Sequence, residues 1–120
     1  HLLEYDKRFE LARAQESPDF LREMVYGRLY WPVGLTAKAK AQYEQYLQEH
    51  MAQIASAFIR QKRGKELEWL LHTYPLTPDQ RELFAGLMDQ ANASHASEIL
   101  SMLMEYQRVH FPSRRRSFDL

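Results

Sequence analysis

Only four glycines and five prolines punctuate this 120-residue chain, and nearly all of them stand between runs whose apolar residues recur at helical spacing. A chain with so few places to turn reads as all-α. The punctuation predicts five or six helices.

The first helix is expected over about residues 2–15. It ends before Ser17-Pro18, where serine can cap the next helix and proline suits its first turn. That second helix runs to about Arg28 and meets "LYWPVG", whose Pro32 and Gly34 make the clearest break in the chain. From Thr36 a long helix is expected to about Gln61, because Leu47, Met51, Ile54 and Phe58 fall on one face. It turns at Gly64, whose tolerance of positive φ suits a hinge, into a helix ending at Tyr74. "LTPDQRELF" then supplies Thr77 as N-cap, Pro78 at the first helical position and Gln80 three residues after the cap, the pattern of a capping box. Its helix carries Leu83, Leu87 and Met88 inward. A last helix covers about residues 95–109, followed by a frayed tail at 113–120. The whole is expected to be one helical domain, residues 1–112.

Two stretches match one another. "GKELEWLLHTY" and "ASEILSMLMEY" pair Glu66 with Glu98, Leu67 with Ile99, Leu71 with Leu103 and Tyr74 with Tyr106, 32 positions apart. The helices in front align at an offset of 29, with Ile54, Ala57, Phe58 and Ile59 on Leu83, Gly86, Leu87 and Met88. A longer turn in the second copy would absorb the difference. A partial third copy stands at residues 1–9. One helical hairpin cannot bury its apolar face alone, and stacking supplies the missing surface. In that arrangement Ala57 and Gly86 would allow close helix approach, and Leu71 and Leu103 would be successive core positions.

The second copy opens a helix with Thr77-Pro78, passes a small-residue turn containing His95, and continues through Glu98, Ile99, Met102, Leu103 and Glu105. In this it resembles the ankyrin repeat family, and more closely the degenerate ankyrin-like repeats that end many bacterial multidomain proteins. The resemblance covers residues 76–111, extends more weakly over 51–75 and touches 1–9, with residues 1–35 as divergent N-terminal helices. It implies antiparallel hairpins over 36–111, stacked as a short solenoid, and a non-catalytic scaffold that binds protein. The chain opens within what reads as a helix, as a piece of a longer polypeptide would.

Charge and motif content narrow the function. Sixteen basic residues balance sixteen acidic ones, eight of each sign in either half, so a dedicated nucleic-acid surface is not indicated. No apolar run approaches the length of a membrane span. The lack of cysteine removes disulfides and thiolate chemistry and is compatible with a cytoplasmic setting. His1, His50, His72, His95 and His110 form no pair at metal-ligand spacing, and there is no HExxH, no GxGxxG or P-loop glycine run and no GxSxG. Neither an enzyme nor a cofactor is expected. Glu44, Glu49, Glu66 and Glu68 read as solvated helix faces.

Two features point to a partner. Tyr26, Tyr30 and Trp31 gather beside the Pro32/Gly34 break. Such residues more often plug the gap between two helices, but when exposed they anchor protein interfaces. Arg60, Lys62, Arg63 and Lys65 cluster at one turn, and Arg114, Arg115 and Arg116 follow the last helix, where a phosphate could be held. Residues 114–117 also resemble a basophilic kinase site. A basic turn of this kind also serves a small nucleic-acid-binding or regulatory domain, the alternative reading. The expected contacts to a protein partner are Tyr30, Trp31, Arg60 and Arg63.

Overall fold

The computed structural model describes residue 6 and residues 9–112. Seven α-helices occur among them and no strand, which settles the all-α class: α1 (Phe9–Gln15), α2 (Pro18–Tyr30), α3 (Ala37–Glu49), α4 (Met51–Arg60), α5 (Gly64–Thr73), α6 (Arg81–Ala93) and α7 (Ser97–His110). The expected start of the first helix at residues 2–5, the tail at 113–120 with its basic run and kinase-like site, and most of the third copy at 1–9 lie outside the described residues.

The helix starts follow local chemistry. Ser17 Oγ accepts from the Phe20 N–H at 3.1 Å with Pro18 behind it, and Thr36 Oγ1 accepts from the Ala39 N–H at 3.1 Å, each satisfying one otherwise orphaned donor. At Thr77 the Gln80 side chain accepts from the Thr77 N–H at 2.9 Å. The first turn there, Pro78–Gln80, is a 3₁₀ helix, and α6 begins only at Arg81.

The long helix expected from Thr36 to Gln61 is two helices. His50 leaves helical geometry at φ −121° and ψ 24°. Its ring stacks on Tyr46 with centroids 4.1 Å apart, and its Nδ1 lies 2.9 Å from the Tyr46 carbonyl, which accepts from it. The His50 carbonyl still accepts from the Ile54 N–H, so α4 resumes at once. Leu47, Met51, Ile54 and Phe58 are all buried as their spacing requires.

The chain divides into two compact units, one up to Ile54 and the other from Ala55, with the boundary inside α4. In the first, α2 packs on α3, Phe9 meets Tyr43 and Tyr46 at ring distances of 4.7 and 5.8 Å, and Leu21, Val25 and Leu47 are buried too. In the second, α6 and α7 pack together and α5 packs on α7. Its core holds Phe58, Leu67, Leu70, Leu71, Phe84 and Leu103. Phe84 lies against Tyr106 and Phe111, and the Tyr106 hydroxyl accepts from the Leu76 N–H at 2.9 Å, tying the α5–α6 connection to α7. Leu87 is buried as expected, whereas Leu83 and Met88 are half-buried and Phe84 takes the inward position between them.

The turns α4–α5 and α6–α7 have one geometry. In the first, Lys62 is left-handed at φ 56°; its N–H donates to the Ile59 carbonyl and the Arg63 N–H to the Phe58 carbonyl. In the second, His95 is left-handed at φ 54°, with the His95 N–H donating to Asn92 and the Ala96 N–H to Ala91. Both are the paired-bond helix ending usually built on glycine. They stand 33 residues apart, 95 minus 62, and each leaves three residues between its helices. The second turn is therefore not longer than the first. At this offset the buried residues Met51, Ile54 and Phe58 correspond to the buried Phe84, Leu87 and Ala91. The sequence alignment of 29 had slipped by about one helical turn, a shift that preserves the face. In the second helices the buried residues still pair at 32, Leu67 with Ile99 and Leu71 with Leu103. One residue against the turn rotates the buried face by roughly 100°, so the hairpins share a turn but differ in the face they bury after it.

The glycines do different work from that expected. Gly64 is the first residue of α5, and the positive φ of its turn belongs to Lys62. A Cβ on Gly64 would stand 3.3 Å from Ile99 Cγ1, so Gly64 is the glycine of close approach. Gly86, expected in that role, faces open space.

Two outcomes follow for stability. Leu103→Ala, at a fully buried position, should cost about 2–5 kcal/mol. Lys62→Gly removes the penalty of a side chain at positive φ and should stabilise the second unit by about 0.5–1 kcal/mol. Urea midpoints measured with unchanged slopes check both.

Candidate protein-binding loop

The strongest surface feature is the end of α2. Pro32 cannot continue a helix and disfavours helical geometry in the residue before it, and Trp31 accordingly sits at φ −127° and ψ 80° as the C-cap. The Trp31 N–H donates to the Gly27 carbonyl at 2.9 Å. The Leu35 N–H then donates to the Pro32 carbonyl at 3.1 Å, closing a turn whose third residue, Gly34, has φ 69°, a conformation glycine adopts without steric cost. Thr36 caps α3 directly afterwards.

Arg28 holds this loop in place. Its side chain is buried, at 2% exposure. It donates from Nη2 to Asp6 Oδ2 at 2.8 Å and from Nε to Asp6 Oδ1 at 3.1 Å. The same guanidinium donates to the Trp31 carbonyl at 3.1 Å and the Val33 carbonyl at 3.0 Å. The Tyr43 hydroxyl donates a short hydrogen bond to Asp6 Oδ1. No buried side-chain nitrogen or oxygen among the described residues lacks a partner.

Burial pushes the Asp6 carboxyl pKa up, but hydrogen bonds from Arg28 and Tyr43 and the charge of Arg28 outweigh it and hold the group below its ordinary value. Burial and the bond to Asp6 push the Tyr43 phenol well above its usual range, so it stays a neutral donor.

With its carbonyls drawn inward, the loop turns its side chains out. Trp31 is 66% exposed, Val33 65% and Tyr30 53%. The commoner reading of these aromatics, a plug between helices, does not hold for Tyr30 and Trp31. Tyr26, half-buried, stacks on Tyr30 at 5.5 Å and extends the aromatic surface along α2.

The two arginines lie in the second unit. Arg60 is exposed, and its Nη1 donates to Ser56 Oγ at 3.1 Å. Arg63 is engaged in the turn itself: its guanidinium lies 4.7 Å from the Phe58 ring centroid, and it bonds Glu66 and Gln61. A groove of about 880 Å³ opens between the starts of α5 and α7, lined by Lys62, Lys65, His95, Glu66, Glu98 and Ile99 among others. Its mixed charges favour neither sign of ligand. Among the described residues no group of three or more histidine and carboxylate side chains is placed to hold a metal, and no helix is long and apolar enough to cross a membrane.

Sequence reasoning missed Asp6, Arg28 and Tyr43. The signal available for Arg28 was its place in the buried row Leu21, Val25, Arg28, Leu29 of α2, where a charge needs a partner. Comparison with known proteins found no matching family model, no similar curated protein and no similar solved structure.

Replacing Arg28 by leucine strands the Asp6 carboxylate in the core and should cost about 3–5 kcal/mol; denaturant unfolding measures it. Because folding lowers the Asp6 pKa, its contribution is fully present above the ordinary carboxyl value of 3.8 and is lost as pH falls through the lower folded value. Asp6→Asn should therefore flatten the acid limb of a stability–pH profile.

Proposed function

We propose that this chain is a non-catalytic protein-interaction module whose principal contact is the Tyr30–Trp31–Val33 loop. The observation that carries the reading is Trp31, two-thirds exposed on a backbone fixed from within by Arg28. Exposed tryptophan and tyrosine on a preorganised backbone are the residues from which interface hot spots are made. Arg60 is a secondary contact, and Arg63 contributes chiefly by shaping its turn.

The helical hairpins α4–α5 and α6–α7 form, in this reading, two copies of an ankyrin-like unit that acts as the scaffold. The shared left-handed turn supports it, as does a spacing of 33 residues, which is also the period of the ankyrin repeat.

Alanine at Tyr30 and Trp31 together should weaken capture of the partner from source cells by at least about 2 kcal/mol while leaving the circular dichroism and melting point unchanged. Identical captured proteins and affinities for wild type and the double variant would refute the proposed contact.

A further inference from the structure

We infer that the partner segment seated on the Trp31 loop is an acidic peptide carrying large apolar side chains. This rests on the loop being the contact, and adds the chemistry of what it contacts. Between Glu23 and Glu44 the chain has three charged residues, Arg28, Lys38 and Lys40, and no carboxylate. Arg28 is buried and neutralised by Asp6. Between the aromatic loop and Glu44 the exposed charge is therefore that of Lys38 and Lys40, both solvent-exposed near the start of α3.

Their placement runs against the helix. The start of α3 carries the positive end of the helix dipole, where carboxylates are favoured and cations are not, and its first turn contains no acidic residue. Anionic side chains from a partner relieve both lysines and the helix end together, and they steer association.

The loop is also suited to losing water. The Trp31 N–H, the carbonyls of Trp31, Pro32 and Val33, and the Leu35 N–H are all hydrogen-bonded within the unit, and Pro32 has no N–H. Covering the Trp31 and Val33 side chains with leucine, isoleucine or phenylalanine thus dehydrates apolar surface without stranding those backbone groups. An apolar residue for the loop and carboxylates for the lysines together specify the acidic, apolar segment.

The probe is a displayed random-peptide library selected on the whole chain. Selected peptides should be enriched in Asp or Glu together with Leu, Ile or Phe. Their affinity should fall at least about tenfold with Trp31→Ala or Val33→Asp, fall again with the Lys38→Glu, Lys40→Glu pair, and weaken with added salt. Unchanged melting curves establish that these surface variants fold. Peptides that need Trp31 but are neutral or basic, or are indifferent to both lysines, overturn the acidic assignment and leave the loop contact standing. If no selected peptide depends on Trp31, the loop contact falls as well. Phosphatidylserine/phosphatidylcholine vesicles form the second arm, with Trp31 emission isolated by Trp69→Phe. Trp31-dependent binding to vesicles in the absence of any selected peptide assigns the loop to a lipid surface and overturns the inference.

Discussion

The buried ion pair between Arg28 and Asp6 is the contact on which the surface of the first unit depends. Removing two charges from water is costly, and mutual attraction alone rarely returns more than a well-packed apolar pair would. Here the carboxylate also accepts from Tyr43, and the guanidinium gives two further donors to the carbonyls of Trp31 and Val33. An apolar substitute could fill the same volume but could not hold those carbonyls. The arginine is thus better explained by what it positions than by net stability, and what it positions is a loop whose side chains face water.

The second unit solves a different problem, the reversal of chain direction between consecutive helices. Both of its hairpins end the first helix on a left-handed residue that is not glycine, Lys62 and His95. A side chain in that conformation carries a steric penalty, so the surrounding bonds must over-determine the geometry. In the first turn Arg63 adds its stacking on Phe58. In the second, Ala96 and Ala91, joined by the hydrogen bond that spans five residues, are both buried. The turns Gln61-Lys62-Arg63 and Ser94-His95-Ala96, with no residue in common, thus arrive at one backbone.

Features set by neighbours in sequence were legible in advance. Ser17 caps because its oxygen lies within three residues of the donor it satisfies, and the row Leu47, Met51, Ile54 and Phe58 is buried even though the helix carrying it breaks at His50. Features set by distant partners were not. Arg28 finds Asp6 across 22 residues, and no local pattern joins them. Lys62 gives no sign of its positive φ, so the glycine two residues on attracted that role, while the true function of Gly64 depends on Ile99 in another helix. The aromatic cluster was legible as a cluster, but its exposure follows from the inward pull of Arg28 on the loop backbone.

That pull bears on how binding would be achieved. A flexible loop loses backbone freedom when it docks, a cost of roughly 1–2 kcal/mol for each residue fixed. Here Trp31 and Val33 have their carbonyls bonded to a buried guanidinium, Pro32 has a restricted φ, and Leu35 closes the turn. Much of that ordering is met during folding rather than at the encounter. In the proposed interaction, the free energy released by covering Trp31 would then be available as affinity, and a short loop could serve as the principal contact of a small helical unit. The dependence also runs inward, because a change at Asp6 or Tyr43, neither of which presents a side chain at the surface, alters the loop through Arg28.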